Sequence, residues 1–279
     1  MMLRLEDFAG WKINWHDKAQ NIVDLSSDLG IGLQSVVFID DNPVERARVR
    51  DALPEVLVPE WPKDTMLYKK SLCSLGCFDV SRISDEDLSR SDMYVSERKR
   101  KNLKKKVGSL DEWFESLDNR VRVEVLNDIN CQRAGQLLNK TNQMNTSNRR
   151  MSEPEFLKWA GEKNHKVWTF RVTDKYGDSG LTGIASVEVD EKLVRIVDFL
   201  LSCRVMGREI ENVMLRTVIE YAEKMGADEV QVGFITTPKN KPCLDFWKRS
   251  GLKCLEENVL FAWDLVTEYP VPGYITIEQ

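Results

Sequence analysis

Residues 193–222 read LVRIVDFLLSCRVMGREIENVMLRTVIEYA. The first half alternates and is rich in Val, Ile and Leu, which predicts a strand ending near Ser202. In the second half Ile210, Val213, Met214, Val218, Ile219 and Tyr221 recur at helical spacing, which predicts an amphipathic helix beginning near Gly207. Between them lies Cys203-Arg204-Val205-Met206-Gly207-Arg208-Glu209. A strand entering a helix through a glycine turn leaves unpaired N–H groups at the helix start. With the helix dipole, these favour a phosphate. Arg204 and Arg208 would add positive charge to that pull. The same residues also suit a plain connection of any α/β protein that binds nothing.

Composition narrows the classes. The chain has 279 residues, enough for two ordinary domains, with 42% hydrophobic and 30% charged residues, as in a soluble globular protein. No apolar run is long enough to span a bilayer and no secretory signal opens the sequence, so no membrane partner is expected. The six cysteines lack a disulfide-framework spacing, and Cys73 and Cys77 lack the neighbours a zinc site needs. Reduced thiols in a cytoplasmic protein are the expectation. A net charge of −5 speaks against nucleic acid as a partner.

Outward from the opening stretch, residues 119–267 read as β-α-α-β-β, then the strand–turn–helix, then β-α-β. VRVEVLN is a strand, INCQRAGQLLNKT and MSEPEFLKWAG are helices, and KVWTFRVTD and LTGIASVEV flank a turn at KYGDSG. EVQVGFI, NKPCLDFWKRSGL and CLEENVLFAWDL complete the set as strand, helix, and strand or strand pair. Cys203 ends the central strand, where a helix N-terminus and two arginines would lower a thiol pKa. Such a thiol can carry an acyl thioester, although a free Cys is more commonly a small buried hydrophobe. Cys243 is a second candidate. The loop with Asn142, Gln143 and Asn145 offers amides suited to a hydroxylated acyl group, or to its own backbone.

Residues 1–80 form a separate segment. A helix is expected over 16–29, stopped by Gly30. SVVFID, 35–40, reads as a buried strand that delivers Asp40 and Asp41 to its end, then Asn42-Pro43 and a helix. Two carboxylates there can hold Mg2+ beside a phosphate, or one of them can cap the helix. Between the segments, residues 81–118 read as a helical connector, with Ser84-Asp85-Glu86-Asp87 fitting a helix start. Arg98–Lys106 holds seven basic residues. That run is a solvated face or a dock for an acidic partner such as a carrier protein.

The C-terminal succession resembles the GNAT (GCN5-related N-acetyltransferase) fold, in which Arg/Gln-x-x-Gly-x-Gly/Ala grips the diphosphate of coenzyme A. Arg204 and Gly207 match; Glu209 stands where a small residue belongs. Trp15-x-x-Lys18-x-x-Asn21-Ile22, Phe38-Ile39-Asp40-Asp41-Asn42-Pro43-x-Glu45-Arg46 and Val58-Pro59-Glu60 resemble the FkbH-like branch of the haloacid dehalogenase (HAD) superfamily. Lys140-Thr141-Asn142-Gln143-Met144-Asn145, with Arg149-Arg150, is similar to the Lys-Thr-Asn-Gln-Phe-Asn of that family. Thr237-Pro238-Lys239-Asn240 and Ser202-Cys203-Arg204 are further matches.

The resemblance implies an α/β protein: a partial HAD-like Rossmannoid layer over 1–80, the connector, a GNAT-like mixed-sheet domain over 119–267, and a tail over 268–279. It implies charge balance by Lys18, Mg2+ on Asp40 and Asp41, and acyl or substrate contacts from Asn142, Gln143, Asn145, Lys239 and Asn240. It implies Arg204, Gly207 and Arg208 on a carrier-borne phosphopantetheine or coenzyme A. The family transfers a glyceryl group from a small acyl donor to an acyl carrier protein, feeding polyketide pathways. This sequence holds no Asp-x-Asp-x-Thr/Val nucleophile, and its opening is similar to the middle of the family's domain, as in a fragment or a naturally shortened form. No HAD phosphatase activity is therefore expected. The alternatives are an acetyl-CoA-dependent N-acetyltransferase and a non-catalytic carrier-binding module.

Overall fold

The computed structural model describes residues 4–79 and 90–278. The expected helix start at Ser84–Asp87 lies outside them. The chain divides into two compact units, Met1–Lys99 and Arg100–Gln279.

In the first unit, α1 (Lys18–Leu29) begins where the Asp17 carboxylate accepts from the N–H groups of Ala19 and Gln20, and ends at Gly30 with φ +68°. Helix α2 (Pro43–Ala52) is capped by Asn42, whose Oδ1 accepts from Val44 N at 2.9 Å. The cap is thus neither Asp40 nor Asp41. A third helix, α3, spans Tyr68–Cys73. Residues 35–40 do not form the buried strand expected of them. They are half-buried or exposed and make a single parallel bridge, Val37 to Leu57. A strand needs partners on its edges, and here only residues 56–58 offer one. Ala19, Val49, Leu53, Val56 and Val58 make a small core, with Ile22, Val23 and Phe38 against it.

Helix α4 (Arg90–Lys104) runs across the division between the units. The second unit continues with α5 (Leu110–Leu117), whose Trp113, Phe114 and Leu117 are buried in it. The strands are β1 (Asn119–Val125), β2 (Met144–Asn145), β3 (His165–Asp174), β4 (Gly177–Asp190), β5 (Leu193–Leu201), β6 (Glu229–Gly233), β7 (Lys253–Glu256), β8 (Leu260–Trp263) and β9 (Ile275–Glu278). The helices are α6 (Cys131–Lys140), α7 (Glu153–Ala160), α8 (Ile210–Met225) and α9 (Lys241–Arg249). The fold is α/β with a mixed sheet, in the order β7-β8-β6-β5-β4-β3-β1-β9. The β5–β6 and β1–β9 pairs are parallel and the others antiparallel. The element succession is the one expected of a GNAT-like domain.

Two boundaries differ from expectation. Residues 275–278 are not tail: they pair with β1 from Asn119–Ile275 to Arg122–Glu278. The helix predicted near Gly207 starts instead at Ile210, because Gly207 and Glu209 both take positive φ, +71° and +64°. Only the first half of β5 pairs with β6, over Leu193–Ile196. The second half pairs with β2. Thr146 then bridges the parting strands, donating to Phe199 O at 3.1 Å and accepting from Ile235 N at 3.0 Å.

Asp198, fully buried on β5, ties this wedge down. Its carboxylate accepts from Ser186 Oγ at 2.6 Å, Ser147 Oγ at 2.9 Å and the Arg149 guanidinium. Removing it would take the acceptor from two hydroxyls and from the part-buried Arg149 guanidinium. Asp198→Ala is expected to lower stability by about 3–5 kcal/mol, read as the urea midpoint.

Candidate functional site

In the first unit Lys18 opens α1 and reaches Asp40 Oδ2 at 2.6 Å. The bond to Asp40 raises the Lys18 pKa. Asp40 Oδ1 accepts from Asn42 N, and Arg46 Nη1 donates to the carbonyls of Asp40 and Asp41. The sequence thus brings Lys18 and Asp40 together. Asp40 accepts on both oxygens, and no group of three metal-binding side chains gathers among the described residues. Magnesium held by Asp40 and Asp41 would displace Lys18 and fill the rest of its shell with water.

In the second unit Cys203 stands exposed, just beyond β5. Ser202 holds the turn, its N–H donating to Thr182 O at 2.7 Å and its Oγ accepting from Arg204 Nε at 3.2 Å. Arg208 departs from the phosphate-binding role expected of it. Its side chain is 3% exposed and bonds Asp174 at 3.0 Å and Arg204 O at 2.5 Å. Asp174 also binds Arg100 at 2.5 Å, so Arg100 is buried rather than part of the basic surface.

Beside the turn lies a cleft of about 340 Å3. Met144 and Met206 form thioether walls, Gly207 the turn side, and Pro242, Asp245 and Arg249 the face contributed by α9. Glu211, in the first turn of α8, lines it too and is only 4% exposed. Arg249 Nη2 donates to Glu211 Oε1 at 3.0 Å, while Glu211 Oε2 is buried with no hydrogen-bond partner. Burial pushes the Glu211 pKa up, against the opposing pull of its own backbone N–H and of Arg249; Glu209 adds to the rise. A helix N-terminus expected to hold a phosphate therefore holds a carboxylate of the chain itself. With Arg208 engaged and Glu211, Glu209 and Asp245 nearby, these residues do not fit a diphosphate.

The amide residues separate into two groups. Asn142, Gln143 and Lys239 are exposed. Asn145 and Asn240 are fully buried and face the backbone rather than a ligand. Asn145 Nδ2 donates to Thr141 O at 3.0 Å; Asn240 Nδ2 donates to Asn145 O at 3.0 Å and Ile235 O at 2.8 Å. Cys243 is buried beneath Trp247 and Thr146, and burial pushes its thiol up to about 12. Trp247 is buried as well and donates to Thr146 Oγ1 at 3.2 Å. Sequence reasoning missed Glu211 and Asp198. The signal was present: each is an acid placed among apolar positions of a buried element.

No family model and no curated protein matches the sequence. Among solved structures, the chain is 43% identical to the N-terminal part of a Bacteroides fragilis protein that contains a phosphatase domain and was complexed with Mg. That similarity covers 30% of this chain and 22% of the other, with a TM-score of 0.29, so the match spans under a quarter of that protein's length. A GNAT-family acetyltransferase from Staphylococcus aureus is 11% identical, over 52% of this chain and 99% of that one, with a TM-score of 0.41. A Bacillus subtilis acetyltransferase in complex with CoA is 15% identical over 52% and 98%, with a TM-score of 0.37. Among the described residues, no helix is long and apolar enough to cross a membrane.

Exposure and pKa together order the thiols. Iodoacetamide at pH 7–8 is expected to alkylate Cys203 with the other exposed cysteines, Cys73, Cys77 and Cys254, while sparing Cys131 and Cys243. Peptide mass mapping reads this directly, and Cys243 should stay unmodified up to pH 9.

Proposed function

We propose that the second unit is an acyltransferase that uses Cys203 to pass a small hydroxylated acyl group, of the glyceryl kind, to the phosphopantetheine thiol of an acyl carrier protein. The observation that carries this reading is the position of Cys203: an exposed thiol at the end of the central strand, in the turn whose Met206 and Gly207 line the cleft. The other thiol weighed for this role, Cys243, is buried and held protonated. The motif residues similar to the FkbH-like family support the acyl group and the acceptor. Exposed Asn142, Gln143 and Lys239 supply donors and acceptors for its hydroxyls. Exposed Lys104, Lys105 and Lys106 suit an acidic carrier.

The chemistry is two thioester exchanges. Cys203 Sγ gives up its proton and attacks the donor's carbonyl carbon. The donor's C–S bond breaks and its thiolate takes a proton. The carrier's thiol then attacks the Cys203 thioester in the same way and releases the free Cys203 thiol. No oxidant or metal takes part. N-acetylation is less well supported. Where an acetyltransferase of this fold offers a Tyr to the leaving thiolate, this chain has Trp247, whose indole donates to Thr146 and is no useful acid.

Intact-mass analysis after incubation with a glyceryl thioester of N-acetylcysteamine tests the reading. Wild type and Cys243→Ala should gain one glyceryl group, Cys203→Ala none, and the adduct should move to an added carrier protein. Equal labelling of wild type and Cys203→Ala, or none in either, would overturn it.

A further inference from the structure

Two features of the cleft lie outside the acyl-transfer chemistry. The first is Glu211, which lines the cleft and whose Oε2 is buried without a hydrogen-bond partner. A buried acceptor without a donor is costly, and burial without compensation is tolerated at sites that a ligand completes. The second is charge. Glu211 sits in the first turn of α8, where a bound phosphate would otherwise use the free N–H groups and the dipole. Glu209 precedes it, its Oε2 taking the Asn212 amide at 2.8 Å, and Asp245 faces the same space from α9. The cation at the cleft is Arg249, and it already binds Glu211. Arg208, which would have met a diphosphate, is ion-paired with Asp174.

We infer that this cleft takes a phosphate-free thiol arm and rejects the nucleotide diphosphate of coenzyme A. This rests on the acyl-transfer reading for its choice of a thiol arm. The thioether walls of Met144 and Met206 take the arm's methylenes. A carrier-borne arm keeps its single phosphate on the carrier, outside the cleft. A diphosphate brought to the start of α8 instead meets the carboxylates of Glu211, Glu209 and Asp245, and like charges a few ångströms apart in a half-buried site weaken binding by tenfold or more.

Calorimetric titration of the full chain with pantetheine and with coenzyme A tests this. A Cys203→Ala background makes the readout binding alone. Pantetheine is expected to bind at least about tenfold more tightly than coenzyme A. Glu211→Gln removes the charge at constant shape and should narrow that ratio by about tenfold through a gain for coenzyme A. Equal or tighter binding of coenzyme A to the Cys203→Ala protein, a ratio indifferent to Glu211→Gln, or no binding of either compound would overturn the inference. Because acyl loading of Cys203 is not measured here, these outcomes stand apart from the fate of the acyl-transfer reading itself.

Discussion

The second unit depends on a buried carboxylate. Asp198 lies on the central strand at the point where β5 stops pairing with β6 and takes β2 instead. Parting parallel strands expose backbone groups on both edges, and these must find partners. Residues 144–146 provide them, and Ser147 and Arg149 fasten that stretch to Asp198. Arg149 also stacks over Trp159, 4.1 Å from its ring centre, which itself stacks on His165. Desolvating Asp198 is offset by a guanidinium and two hydroxyls held in place. The segment Lys140–Asn145 therefore has a structural task at its inner end and an exposed end at Asn142 and Gln143.

A second buried cluster sits at the other side of the same turn. Asp174 is clamped between Arg100 and Arg208, which draws Arg208 away from the helix start. Glu211 then occupies the place where the helix dipole favours an anion. Gly207 and Glu209 take positive φ in this turn, and the charged side chains around it bond to other parts of the chain. Backbone shape and ligand charge are separable properties of one motif.

Much of this was readable from residue patterns. The strand and helix of 193–222 announce themselves because alternation and helical spacing meet at a glycine. The hairpin of β3 and β4 followed from the same periodicities, while residues 254–265 read equally as one strand or two and form the pair β7–β8. Residues 35–40 have strand composition but lack neighbours on both edges, and composition cannot report a missing partner. Residues 275–278 were unreadable for the opposite reason: their partner, β1, lies over a hundred and fifty residues away in sequence, as the Arg122–Glu278 pair shows. Arg208 looked like a phosphate ligand because its partner, Asp174, belongs to another strand. Asn145 and Asn240 looked like ligand amides for the same reason, since only the folded chain brings Asn240 to the carbonyl of Asn145.

The first unit holds the Lys18–Asp40 pair at a partly exposed position, where such a pair adds little to stability. The chemistry argued for this chain is concentrated instead at Cys203 and Glu211. A crystal structure of the protein soaked with a slowly hydrolysed acyl thioester of N-acetylcysteamine puts both to the test at once. The account predicts an acyl group on Cys203 Sγ and the released thiol in the cleft beside Met144 and Met206. Acyl density at any other side chain, or an unmodified Cys203 with the thioester bound away from the α8 start, would contradict it.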